Sequence, residues 1–147
     1  MIDPAMARID FYLLAAAGEP SRQIFACRLA EKAYRLQNTV HIQAADREHA
    51  RQLDHLLWTF RDGSFVPHEV VDDEHDAGGA PVTIGVGAAG LRPGDLLINL
   101  TDDVPQHLDS FPRVAEIVTS DDDCRQRSRR RFADYRSQGH TLQTHEL

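Results

Sequence analysis

Residues 8–44, RIDFYLLAAAGEPSRQIFACRLAEKAYRLQNTVHIQA, decide the fold class. The opening RIDFYLL is aromatic and branched and stops at AAAGEPS, the pattern of a buried strand. From 20 to 38 the apolar residues Ile24, Cys27, Leu29, Ala30, Ala33, Tyr34 and Leu36 recur mostly at three- and four-residue intervals, so an amphipathic helix is expected, ending near Asn38. VHIQA at 40–44 begins with a branched residue and precedes a second helical pattern. A strand–helix–strand unit follows, and repetition of that unit makes a parallel sheet with helices packed on it.

The remaining chain extends the pattern. Asp46 caps a helix over 47–58 that sets Ala50, Leu53 and Leu57 on one face. Residues 59–68, TFRDGSFVPH, carry Phe60, Phe65 and Val66 around Gly63 and Pro67 without helical or strand period, an unusually apolar loop. Residues 70–80 are acidic, end in Gly78-Gly79 and read as a flexible surface loop. Residues 82–86 and 95–100 read as buried strands, 105–111 as a short helix, 113–119 as a strand, 121–138 as a helix and 140–144 as a final strand. The expectation is an α/β fold, one domain over 1–147, with a mainly parallel central sheet flanked by helices. Residues 1–5 precede the patterned chain as an extended or extraneous segment, and Met6 is an alternative start.

Composition narrows the function. A net charge of −7 and a pI near 5.5 argue against wholesale wrapping of nucleic acid. Cys27 and Cys124 both fall in expected helices with no CxxC frame, so they read as reduced packing residues of a cytoplasmic protein. No run of about eighteen apolar residues occurs, so neither secretion nor membrane insertion is supported.

The fold class invites a nucleotide site, yet the turn after the first strand lacks both GxGxxG and GxxxxGK[ST]. GVGAAG at 85–90 has the glycine spacing but LRPGDLL follows where a helix is needed. His49, His55, His68 and His75 have no metal-ligand frame and read as solvated, and the acidic run Asp72, Asp73, Glu74, Asp76 lacks the ligand order of a calcium loop. No cofactor or metal is expected. Thr101, Asp102 and Asp103 follow a strand where α/β sites lie, which keeps a small nucleotide-dependent enzyme as the alternative.

Basic charge is concentrated in DDDCRQRSRRRFADYRSQ, 121–138. Ser120 is a candidate N-cap, three aspartates suit the helix dipole, and Gly139 is a natural stop. Arg125, Arg129, Phe132 and Arg136 follow one another along one face, so guanidinium groups flank a ring, a pattern suited to an anion with an apolar part. The competing reading is a solvated face with Phe132 and Tyr135 turned into the core; arginines on phosphates of RNA or DNA are a third.

FYLL (11–14), LDHLLW ending at Trp58, SFVPH (64–68), GGAPV (78–82), DLLINL (95–100) and R-x-R-x-x-x-Y-R-x-x-G (129–139) together resemble the chi subunit of bacterial DNA polymerase III, a clamp-loader accessory family, over almost the whole chain. The resemblance implies a nucleotide-binding-like fold with no catalytic role and two binding surfaces. One receives the acidic, phenylalanine-ended C-terminal tail of single-stranded DNA-binding protein at Arg125, Arg129 and Phe132, with Val118 lining the pocket. The other joins the psi subunit around Trp58, Phe65 and Pro67. Arg125 stands where the family can carry lysine, which keeps the charge and changes the geometry. DNA contact is then mainly indirect.

Overall fold

The computed structural model describes residues 7–71, 79–87, 89–105 and 108–147. The 1–5 segment and the acidic run 72–76 with its following Gly78 lie outside the described residues. Strands β1 (Arg8–Leu13), β2 (Val40–Ala44), β3 (His68–Val71), β4 (Val82–Val86), β5 (Leu96–Asn99), β6 (Arg113–Val118) and β7 (Thr141–Glu146) form one sheet in the order β3-β4-β2-β5-β6-β1-β7. All six neighbouring pairs are parallel, so the sheet is parallel throughout rather than mainly so. Every residue of β2 and β5 is buried, the condition of strands covered on both faces.

Helix α1 (Glu19–Arg35) carries the chain from β1 to β2 and α2 (Arg47–Thr59) from β2 towards β3, both crossing in one direction; α3 (Asp122–Ser137) carries β6 to β7 in the other. Right-handed crossovers in opposite directions place their helices on opposite faces. Accordingly Ala26, Cys27, Ala30, Leu53 and Leu57 pack with Ile42, Ile84, Ile98 and Ile117, while Cys124 and Tyr135 of α3 pack with Ile9, Phe11, Val114 and Val118. Both cysteines are buried and free.

Several local expectations change. Residues 68–71, expected as loop, form β3, whose His68–Val71 pairs with Val82–Gly85 at the sheet edge. Four residues are too few to display a period, so a short edge strand hides where the apolar loop meets the acidic stretch. Leu36 lies beyond the end of α1 and is 67% exposed, because Gln37 (φ 67°) turns the chain left-handed and the Gln37 and Asn38 amides bond the Tyr34 and Ala33 carbonyls at 2.9 Å. Asp46 does cap α2, accepting from the His49 amide at 2.8 Å. Ser120 does not cap α3; Asp121 holds the cap position, its carboxylate engaged elsewhere. The helix expected at 105–111 is a 3-10 turn over Leu108–Ser110. Gly139 (φ 87°) stops α3 as expected, with its amide on Arg136 O and the His140 amide on Tyr135 O.

Candidate peptide-binding groove and aromatic surface

The inner row of α3 is Cys124, Ser128, Arg131 and Tyr135, all buried. It is fastened to Glu116 in the middle of β6, which is wholly buried. Glu116 accepts from Arg131 Nε at 3.0 Å, the Tyr135 hydroxyl at 2.6 Å and Asn99 Nδ2 at 2.7 Å. Burial pushes the Glu116 carboxyl up from its usual range against the opposing pull of the Arg131 guanidinium, and burial likewise pushes the Tyr135 phenol up. Arg131 also donates to Asp102 O at 3.1 Å and Ser128 Oγ at 3.1 Å. These bonds fix the rotation of the helix and thereby aim its flank.

That flank carries Arg125, Arg129 and Phe132. With Phe11 and Leu13 of β1, Val118 of β6, Thr144 and Glu146 of β7, and Ser128, they line an open groove of about 290 Å³. Phe132 is half-buried, its ring 5.2 Å from Phe11, while Tyr135 is the aromatic that enters the core. Arg136 falls outside the lining. Among the described residues neither Arg125 nor Arg129 makes an ion pair, whereas Arg127 meets Asp102 at 3.1 Å and Arg131 meets Glu116. The groove therefore offers two open guanidinium groups beside an apolar floor, which can take a carboxylate and a ring together. The sequence pattern found Arg125, Arg129 and Phe132 and the resemblance added Val118; Phe11, Leu13, Thr144 and Glu146 were missed. Parallel register brings them in, pairing Leu13 with Val118 and with Glu146, and Phe11 with Thr144.

A second surface lies at the end of α2. Trp58 is 47% and Phe65 66% exposed, with ring centroids 5.5 Å apart, and Pro67 is partly buried beside them. Phe60 packs against the core and Val66 is fully buried, so these two belong to the interior. His68 is not solvated as expected: its side chain is buried 4.4 Å from the Trp58 ring, its nitrogens 2.6 Å from Val66 O and 3.0 Å from Asp54 O. His41 is also buried, between Thr83 Oγ1 at 2.7 Å and Gln43 Oε1 at 2.8 Å.

The turn after β5 is internally committed. The Thr101 hydroxyl bonds Asn99 Oδ1 at 2.7 Å, Asp103 O accepts from Asn99 Nδ2 at 3.0 Å, and the Asp102 carboxylate holds Arg127. Neighbours β1 and β6 lead to helices on opposite faces, the crevice where α/β folds bind ligands. Here the Asp121 carboxylate forms part of the lining, accepting from the Gly18 amide at 2.8 Å and Thr119 Oγ1 at 2.7 Å; the amide holds that carboxyl below its usual range. Glu19 and Asp123 line the same depression, and its two arginines are engaged, Arg22 with Glu19 and Arg127 with Asp102, a poor setting for phosphate. Gly85 and Gly90 serve packing, since a Cβ on Gly85 would overlap the Gly90 carbonyl. Among the described residues no cluster of three metal-ligating side chains occurs, and no helix is long and apolar enough to cross a membrane.

Comparison with known proteins agrees with the whole-chain resemblance. A family profile described as DNA polymerase III chi subunit, HolC, matches residues 6–143. The chain is 42% identical over 142 residues to DNA polymerase III subunit chi of Pseudomonas aeruginosa, covering 97% of this chain and 98% of that one. It is 31% identical to that of Escherichia coli over 95% and 97%, and 30% identical to that of Haemophilus influenzae over 94% and 96%. In three dimensions it superposes on T4 UvsW with a TM-score of 0.66 at 9% identity, and on Saccharomyces cerevisiae Dbp5 bound to RNA and ADP BeF3 with 0.60 at 10% identity. In each case 97% of this chain covers 42% of the other, a likeness of fold alone.

Proposed function

The chain belongs to the DNA polymerase III chi subunit family, and on that premise we propose that it is a non-catalytic adaptor of the replication machinery in the cytoplasm. Its groove takes the acidic, phenylalanine-ended C-terminal tail of single-stranded DNA-binding protein. Arg125 and Arg129 receive the tail's carboxylates, and Phe132 with Val118 receives its terminal ring. Its aromatic surface, Trp58 and Phe65 beside Pro67, joins the psi subunit and through it the clamp loader. DNA is contacted mainly through its coating protein, in keeping with the net charge of −7.

The observation that supports this reading is the pair of guanidinium groups without an ion pair among the described residues, over the Phe11, Leu13, Val118 and Phe132 floor. Charge-assisted contact to a carboxylate is the interaction such a pair lacks, and aromatic anchors in desolvated pockets dominate protein contacts. Titration with an acidic peptide ending in proline-phenylalanine tests it. Arg129→Ala is expected to weaken binding about tenfold, and wild-type affinity to fall as salt rises. Equal affinity of Arg129→Ala and wild type removes the groove from the mechanism.

A further inference from the structure

Glu31, in the last turns of α1, lies in neither surface and is only 6% exposed, a burial that a carboxylate tolerates when paired and hydrogen-bonded. Its close partners come from across the chain. Arg61 Nη2 stands 2.8 Å from Oε1 and the Ser64 hydroxyl donates to Oε2, while Arg35 of the same helix is more distant at 3.8 Å. Arg61 and Ser64 flank Gly63 (φ 77°), and the Ser64 amide bonds Arg61 O at 3.2 Å, so one carboxylate grips both sides of a single turn. Immediately after that turn Phe65 is exposed and Val66 is fully buried. Phe65 thus projects between two anchors, Glu31 before it and Val66 after it, with Trp58 as its ring neighbour.

We propose that Glu31 is a positioning residue of the aromatic surface: through Arg61 and Ser64 it clamps the 60–67 loop so that Phe65 and Trp58 stand as a preformed pair. The affinity part of this inference rests on the reading of that surface as the psi site. A loop already ordered loses less conformational entropy when a partner docks, and loss of the clamp moves that entropy loss into the binding step. The buried His68 ring, its nitrogens against Val66 O and Asp54 O, holds the loop's exit into β3 and leaves residues 61–64 to Glu31.

The test uses the full chain with Glu31→Ala, Glu31→Gln and Arg61→Ala, reading amide hydrogen exchange at 61–65 without a partner and calorimetric binding of purified psi. Arg61 is half-exposed, so its truncation probes the clamp without emptying a buried site. Expected for Glu31→Ala are about tenfold faster exchange at the Ser64 amide and about tenfold weaker psi binding, with acidic-tail affinity within about twofold of wild type. Arg61→Ala should move both readings in the same direction, and Glu31→Gln, which keeps an acceptor for Ser64, should lie between. Unchanged exchange and psi affinity in Arg61→Ala and in folded Glu31→Ala overturn the clamp. Trp58→Ala and Phe65→Ala separate the two ideas: if they abolish psi binding while the Glu31 and Arg61 variants do not weaken it, the clamp fails and the docking surface stands. If they leave psi binding intact, the docking reading fails and takes the affinity part with it.

Discussion

Helix α3 carries two arginine pairs at the same four-residue spacing, Arg127 with Arg131 and Arg125 with Arg129, and they do opposite things. The first pair is consumed within the protein, Arg131 on buried Glu116 and Arg127 on Asp102. The second borders the groove with no ion pair among the described residues. Residue type and spacing are identical, so what separates them is a rotation of about 200° around the helix axis, two residues at 100° each. Arginines engaged within the protein and arginines left bordering the groove are thus distinguished by what the sheet places opposite them.

Removing the buried half should have the largest effect. Arg131→Ala leaves Glu116 buried with Asn99 and Tyr135 as its donors among the described residues, and stability is expected to drop by about 3–5 kcal/mol in urea unfolding. An unchanged midpoint would mean that the internal pair is no different from the groove pair. The contrast between engaged and open groups extends to His41, whose imidazole burial drives down to about 4. The unfolded chain then takes up a proton near pH 6.5 while the folded protein does not. Stability from this group is present above pH 6.5 and is lost as pH falls towards 4, by about 3 kcal/mol in total. Urea midpoints between pH 7 and 4.5 follow this, and His41→Gln should flatten that part of the slope. At the small end, Arg127→Ala should change stability by no more than about 0.5 kcal/mol, because its partner Asp102 is exposed, and should leave tail affinity nearly untouched. A tail affinity that fell as far in Arg127→Ala as in Arg129→Ala would erase the distinction between the pairs.

Much of this was legible in the chain. The helices at 20–38 and 47–58 show their apolar period, β4 and β5 read as buried strands, and β2 is placed by its branched first residue between two helical patterns. The arginine flank with Phe132 followed from helical spacing alone. What could not be read was anything set by strand order. Thr144 and Glu146 join the groove only because β7 pairs with β1, and short β3 had no room to alternate. The burial of Arg131 was equally hidden, since its partner lies 15 residues away on a strand whose Glu116 looks like any solvent-facing residue.

The groove's walls come from residues 11–13, 118–132 and 144–146, so neither a helix peptide nor a partial chain can reproduce it. A nascent polypeptide halted before β7 would possess the arginines without the wall that Thr144 and Glu146 supply, so on the proposed reading it would hold the tail less well than a finished copy. If the proposed reading holds, tail recognition is a late property of maturation, completed when β7 joins β1 at the sheet's outer margin.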